Sequence, residues 1–269
     1  MYEIPKFWAG SQESLDYLEI AIEAAQSLLE SRTSSKDPFE PPPPYNVQEG
    51  VAMISIQGPL ISGSAGWMRM YGVTGYSDIQ AAVMGALEER AVKALFLDVS
   101  SGGGAVEGAD DTSAFIREAS KIKPIVTLAS GNMASAAYWI ASAANRRLAS
   151  RTSIVGSIGV TMTHYDRSEM LKKDGIKATV FRSGKWKALG NPNEPLNEAG
   201  REQLQSMIDD LNQIFEDRVA GNLGITSKQV RDRMGQGREF LGARAVEVGL
   251  VDGVSSSQEA FAVAKVLGR

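Results

Sequence analysis

The stretch Asn132-Met133-Ala134-Ser135-Ala136-Ala137-Tyr138-Trp139-Ile140-Ala141 sets a serine among small residues where an apolar strand gives way to a helix. Upstream, Lys123-Pro124-Ile125-Val126-Thr127-Leu128-Ala129 has the apolar, β-branched composition of a short buried strand. Downstream, the run from Ala136 to Ala144 is rich in alanine, the best helix former. A strand passing into a helix across a few small residues is a building unit of α/β domains. Ser135 then stands near a helix N-terminus, where unpaired N–H groups and the helix dipole stabilise a developing oxyanion. An N-cap serine occupies the same position, and on local sequence that is the commoner use of such a residue. Ser135 needs a base and a second oxyanion donor before it counts as catalytic.

The chain on either side carries the same alternation. From Tyr45 onward, Val51 to Ile56, Ala94 to Val99, Ile125 to Ala129 and Ala178 to Phe181 read as strands, with Ser77 to Glu89 and Ala109 to Ile122 as helices between them. The fold class is α/β, over residues 45–269. From Asn197 to Asn222, Leu204, Met207, Ile208, Leu211, Ile214, Phe215 and Val219 share one helical face, the mark of a helix against a core. Between Gln57 and Ser77, five glycines are interleaved with Trp67, Met68, Met70 and Tyr71. That composition fits a segment that grips a substrate or subunit as well as it fits a packed surface loop.

Residues 1–44 are of a different kind. Leu15, Leu18, Ile22, Ala25 and Leu29 recur at spacings of three and four, with Glu13, Asp16, Glu19, Glu23 and Glu30 mostly on the other side. This amphipathic helix is too short for an independent coiled coil, so it is expected to dock on the main domain or on a partner subunit. Ser34, Ser35, Pro38 and Pro41 to Pro44 then form an extended linker that no helix continues through.

Bulk properties remove several functional classes. A chain of 269 residues with 43% hydrophobic and 22% charged residues has the composition of an ordinary soluble protein. A formal net charge of −4, without clustered Lys and Arg, argues against nucleic acid as the main partner. With no cysteine and His164 as the sole histidine, disulfides, thiol catalysis and a histidine- or cysteine-based metal site fall away. Residues 1–10 lack the pattern of a secretion signal, and no window approaches the roughly 18 apolar residues of a membrane span. A cytoplasmic protein is expected.

A serine hydroxyl attacks a carbonyl only if a base takes its proton and donors hold the oxygen that becomes negative. Two bases are candidates. Lys187 lies in Phe181-Arg182-Ser183-Gly184-Lys185-Trp186-Lys187 and serves only if burial, for instance beside Trp186 and Leu189, lowers its pKa from about 10.4 toward neutrality. His164 needs no such shift. Spacing does not choose between them. On the donor side, the apolar strand Leu95-Phe96-Leu97-Asp98-Val99 runs into Ser100-Ser101-Gly102-Gly103-Gly104-Ala105-Val106, and glycines after a strand let backbone N–H groups approach a ligand. One N–H from Gly103 or Gly104, with that of Ala136, makes a candidate oxyanion hole. Phosphate binding fits poorly, since neither a Walker lysine nor GxGxxG spacing is present.

Several of these motifs follow one another in a known order: Ser101 to Val106, Ala134 to Ala141, Val155-Gly156-Ser157-Ile158-Gly159-Val160, Ser183 to Lys187, Gly237-Arg238-Glu239-Phe240-Leu241-Gly242, and Ala245 to Asp252. On them the chain, over residues 48–256, resembles the signal peptide peptidase A (protease IV) family of Ser/Lys peptidases. Within that family it is most similar to the phage head maturation (minor capsid) proteases. The resemblance implies Ser135 as nucleophile, Lys187 as general base, Gly103 or Gly104 with Ala136 as the oxyanion hole, and Ser157 as a hydroxyl that orients the lysine. It implies no metal and no cofactor. Gly102 stands where the family usually has proline, Ala136 and Ala137 replace a usual pair of glycines, and Ala188 replaces an acidic residue. His164 falls where the family has no catalytic group.

The implied fold is that of Clp protease and crotonase, stacked ββα units, here with an N-terminal helical extension. The implied function is a serine endopeptidase, assembled as a homo-oligomeric ring, that cuts scaffold, capsid proteins and its own chain in the host cytoplasm or the assembling head. A cytosolic signal-peptide-peptidase-like protease and a non-catalytic head or scaffold component are the alternatives. A crotonase-like acyl-CoA enzyme would need acidic groups, and Glu107 is the only carboxylate near the glycine turn.

Overall fold

The computed structural model describes residues 5–31 and 45–269. The linker expected within residues 32–44, and the side chains of Ala25 and Leu29, lie outside the described residues. In chain order the strands are β1 (Trp8–Gly10), β2 (Asn46–Gln48), β3 (Val51–Gln57), β4 (Leu60–Ile61), β5 (Thr74–Gly75), β6 (Ala94–Ser101), β7 (Gly103–Ala105), β8 (Ile125–Ala134), β9 (Arg146–Ala149), β10 (Ile154–Gly156), β11 (Glu239–Leu241) and β12 (Gly253–Val254). The helices are α1 (Gln12–Ser31), α2 (Tyr76–Glu88), α3 (Ala109–Ile122), α4 (Ala136–Ala141), α5 (Ser168–Lys173), α6 (Glu198–Leu223), α7 (Ser227–Arg233), α8 (Gly242–Val248) and α9 (Ser257–Leu267).

The larger sheet has the order β11-β10-β8-β6-β3-β2, with β9 also paired to β8 and β12 to β9. Its centre, β3, β6 and β8, is parallel and covered on both faces, which is why these strands read as near-continuous apolar runs. Leu95, Leu97 and Val99 join the core that includes residues of α2, α3 and α4. Ala94 and Phe96 point the other way onto α9, where Phe96 meets Phe261 edge-on at 6.3 Å between ring centroids. Burying each such Leu or Phe contributes roughly 1.5–3 kcal/mol. The β2–β3 hairpin turns through Glu49 and Gly50, both at positive φ (48° and 80°), as a tight two-residue turn requires.

β8 runs on past its pairing with β9 and so positions the site. Its first half pairs with β9 and its last residues, Met133 and Ala134, with Val155 and Gly156 of β10. α4 begins directly after Ser135, and Trp139 on it stacks on Phe215 of α6 with 4.1 Å between ring centroids. α6 starts at the Asn197 cap, whose Oδ1 accepts the Gly200 N–H at 2.8 Å. Of its expected apolar face, Leu204, Phe215 and Val219 are buried, while Ile214 is exposed.

The N-terminal helix docks on the main body: Leu18, Ala21 and Ile22 of α1 are buried, and Tyr71 Oη donates to the Ala24 carbonyl at 3.4 Å. The glycine-rich segment resolves into β4, a short 3₁₀ helix (Gly66–Tyr71) and β5, with Met68 buried and Met70 exposed. Within the single chain it packs through Met68 and leaves Met70 outward. β4 and β5 belong to the smaller sheet, β1-β7-β4-β5.

One expected strand is absent. Residues 178–181 have no regular structure, and Phe181 is 92% exposed. The local sequence is β-like, but among the described residues no strand lies beside it to accept its backbone groups, and an isolated run of four residues has no stability of its own.

Candidate active site

Ser135 sits at the junction of β8 and α4 with φ 54° and ψ −123°, a conformation that non-glycine residues rarely adopt. It occupies the N-cap position, yet its side chain makes no capping hydrogen bond. Its N–H donates to the Gly156 carbonyl at 2.7 Å, its carbonyl accepts from Trp139 N–H at 2.9 Å, and among the described residues its hydroxyl has only a long contact, 3.5 Å, to the Gly159 carbonyl. The hydroxyl is therefore uncommitted, and the residue is 2% exposed. The strain falls on Ser135 itself. Ala136 and Ala137 are ordinary buried residues of α4, so alanine is accommodated where the resembling family has glycines. As the first residue of the helix, Ala136 has an N–H without an intrahelical acceptor.

The glycine turn reaches the same point. A Cβ built on Gly103, which has φ +99°, would lie 2.9 Å from Ser135 Cβ, so the two residues are in direct contact. The two candidate donors differ. Gly103 N–H donates to Ser101 Oγ at 3.1 Å, and Ser101 Oγ donates in turn to the Gly58 carbonyl at 2.6 Å. Gly103 N–H is thus consumed in holding the turn. Gly104 N–H faces outward toward β1, a strand that sequence reading missed. Three residues with no period, Trp8-Ala9-Gly10, gave no local signal.

The base is not assembled. The apolar surroundings expected for Lys187 are missing: residues 181–188 are all exposed, Trp186 among them at 51%, and Leu189 is only half-buried. Among the described residues the Lys187 ammonium makes no hydrogen bond or ion pair. The physical reason is the one that removed the strand at 178–181: none of the described residues packs over the segment. Ser157 adjoins the site through Gly156 and shares the positive φ of Ser135 (54°). Its N–H donates to the Arg238 carbonyl at 2.7 Å, and its hydroxyl has no partner among the described residues. His164 makes no hydrogen bond to Ser135. It lines a cleft of about 840 Å³ together with Trp8, Gly10, Thr161 and Gly190, and its buried Nε2 has no partner among the described residues. Gly190 lies three residues beyond Lys187, and Lys187 itself does not line that cleft.

Two buried tyrosines brace these elements. Tyr76 Oη donates to the Ala105 carbonyl of β7 at 2.6 Å, and Tyr138 Oη of α4 donates to the Leu250 carbonyl at 2.8 Å. Burial pushes both phenols well above their ordinary range.

Residues 117–268 match peptidase family S49. Capsid assembly protease C of Escherichia phage lambda is 35% identical over 219 residues, 81% of this chain and 49% of that protein. Head-tail preconnector protein GP5 of Enterobacteria phage P21 is 31% identical over 250 residues, 93% of this chain and 50% of that protein. Protease 4 of Haemophilus influenzae is 29% identical over 226 residues, 83% and 35% of the respective chains. The chain thus spans about half the length of the two phage relatives. Among solved structures, one ascribed to an enoyl-CoA hydratase/isomerase from Acinetobacter baumannii aligns with TM-score 0.50 at 13% identity, over 86% of this chain and 82% of that one. At that identity the likeness concerns the fold alone, the crotonase-type α/β fold expected from the sequence.

Proposed function

Because the chain belongs to peptidase family S49, we propose that it is a serine endopeptidase with Ser135 as nucleophile and Lys187 as general base. The observation that carries this reading is the strained backbone of Ser135, whose hydroxyl is free of any capping role and pressed against the glycine turn. Structural strain persists where the surroundings over-determine it, and such positions concentrate at reacting groups.

In this mechanism neutral Lys187 takes the Ser135 proton as Oγ adds to the substrate carbonyl carbon. The carbonyl oxygen gains the negative charge and is held by Gly104 and Ala136 N–H. Collapse breaks the C–N bond, and the proton on Lys187 passes to the leaving amine. Lys187 then takes a proton from water, the resulting attack releases the acid, and Ser135 recovers its proton. Ser157 orients the lysine. The chemistry calls for no metal.

Lys187 must first be desolvated. Ile176, Phe181 and Trp186 on the same segment are exposed, and large apolar side chains in water mark a surface that another chain covers. A second copy, in a homo-oligomeric ring, is the cover we assign. The substrates we assign are phage scaffold and capsid proteins and the chain itself, in the host cytoplasm or assembling head, because two phage relatives are named for capsid assembly and head–tail connection. Among the described residues no helix is long and apolar enough to cross a membrane.

The test pairs a fluorophosphonate probe with cleavage of a co-expressed scaffold, across wild type, Ser135→Ala, Lys187→Ala and His164→Ala. Loss of labelling and cleavage in Ser135→Ala, loss of cleavage in Lys187→Ala and retention in His164→Ala are expected. Cleavage by Ser135→Ala would sink the assignment, and full activity in Lys187→Ala with none in His164→Ala would replace the base.

A further inference from the structure

We propose that the N-terminal strand β1 is an intramolecular pseudosubstrate: it lies in the peptide-binding cleft beside Ser135, with the Ala9 carbonyl at the acyl position, and any other peptide must displace it. The proposal rests on the peptidase reading above for the identity of the cleft.

β1 is paired along both edges. On one side it is antiparallel to β7, with Trp8 opposite Ala105, Ala9 opposite Gly104 and Gly10 opposite Gly103. On the other it bridges Thr161, Trp8 N–H donating to the Thr161 carbonyl at 3.1 Å and Thr161 N–H to the Trp8 carbonyl at 2.9 Å. Both flanking edges touch Ser135. The β7 edge does so through Gly103, and the segment leading to Thr161 does so through the Gly156 and Gly159 carbonyls. A chain inserted between them in extended form therefore runs past the nucleophile, the strand-addition mode by which peptides are commonly recognised.

The register places one particular carbonyl at the donors. Val106 N–H bonds to the Phe7 carbonyl (3.3 Å) and Ser11 N–H to the Gly102 carbonyl (2.8 Å). In an antiparallel ladder bonded pairs alternate, so the intervening pair, Ala9 and Gly104, is also bonded and Gly104 N–H points at the Ala9 carbonyl. That N–H is the one left over once Gly103 is tied to Ser101. The space that a Gly103 Cβ would fill is 2.2 Å from the Ala9 carbonyl oxygen and 2.9 Å from Ser135 Cβ, so both groups meet at one spot.

The glycines of the turn are fitted to this strand. A Cβ on Gly102 would come within 2.6 Å of Ser11 Oγ and 3.1 Å of Ser14 Cβ, and one on Gly103 within 2.8 Å of Gly10 Cα. Ser14 Oγ also donates to the Gly103 carbonyl at 3.1 Å, which pins the start of α1 to the turn. Trp8 and Ala9 are buried, as residues of a seated ligand are. With Lys187 out in water, no base stands ready to cut the strand, and it is held intact. Its sequence also states what the cleft accepts: an aromatic residue, then a small one that carries the acyl carbon, then glycine.

The experiment uses the full chain with β1 dislodged. A Cβ on Gly10 would come within 2.9 Å of Gly104 N, so Gly10→Val expels the strand, and Ala9→Pro does so by removing its ladder N–H. Release is verified as lost hydrogen-exchange protection at residues 8–10. A fluorescein-labelled peptide of residues 5–12 is then titrated by anisotropy, in a Ser135→Ala background so that no turnover is needed. Binding to both released variants, and at least about tenfold weaker binding to the chain with its own strand in place, is the expected result. A released variant that does not bind the peptide overturns the proposal. With Ser135 present, fluorophosphonate labelling should also be at least about tenfold faster in the released variants, and free peptide should slow it again. Peptide binding without any labelling would leave the strand-in-cleft proposal standing and remove the serine peptidase reading.

Discussion

Gly103 and Ser135 touch across the gap between β7 and α4, with 2.9 Å between Ser135 Cβ and the place where a Gly103 Cβ would be. The glycine works here through what it lacks. Gly103→Ala would add a methyl group into that contact at φ +99°. We expect cleavage to fall by roughly 10²–10³-fold, as for loss of an oxyanion donor, because the turn shifts away from the nucleophile. Stability should drop by about 1–3 kcal/mol. Steady-state cleavage and denaturant melts check both, and an active Gly103→Ala would show that the contact is incidental.

The backbone of Ser135 gives a second outcome. Ser135→Gly and Ser135→Ala should be equally inactive, but only glycine relieves φ 54°. Ser135→Gly should be the more stable of the two by about 1–2 kcal/mol, net of the unfolded-state entropy that glycine adds. Equal melting temperatures would mean that Ser135 is not strained.

Lys187 should separate activity from stability. Its side chain is exposed and, among the described residues, unpartnered. Lys187→Ala is expected to abolish cleavage while changing the stability of the isolated chain by less than about 0.5 kcal/mol, as surface substitutions do. A loss of several kcal/mol would show that the lysine is already packed.

Stability should fall on the alkaline side through Tyr76 and Tyr138. Desolvation raises both phenols in the folded state above their unfolded value of 10.0. Below that value both states are protonated and the contribution is complete. Above it the unfolded chain loses protons first, so stability declines by up to about 1.4 kcal/mol per pH unit for each tyrosine. Tyr76→Phe and Tyr138→Phe should each flatten this decline while costing about 1–3 kcal/mol at neutral pH, because the Ala105 or Leu250 carbonyl loses its donor. Urea melts between pH 8 and about 11 are the check.

Much of the centre was legible. The apolar runs that became β3, β6 and β8 are buried on both faces, so their composition alone announced them. The small residues around Ser135 marked the strand–helix junction. The rest depended on what lies opposite. Ala178 to Phe181 has strand-like residues but no neighbouring edge among the described residues, whereas Trp8 to Gly10 has no pattern and becomes a strand because β7 and Thr161 each offer an edge. Similarly, no sequence rule told Gly103 from Gly104. Their division of labour is set by Ser101 Oγ on one and β1 on the other. The strain of Ser135 was hidden too, since positive φ is legible where it falls on glycine and not where it falls on serine.

The double-edged seating of β1 has a kinetic side. A segment joined covalently to its own cleft competes at an effective concentration, in the millimolar range for a short tether, that does not change however dilute the protein becomes. A free peptide at micromolar concentration loses to it, while peptides packed at comparable density win. On the proposed pseudosubstrate reading, the enzyme answers to the crowding of its substrate rather than to its mere presence, idle in dilute solution and released where substrate is confined.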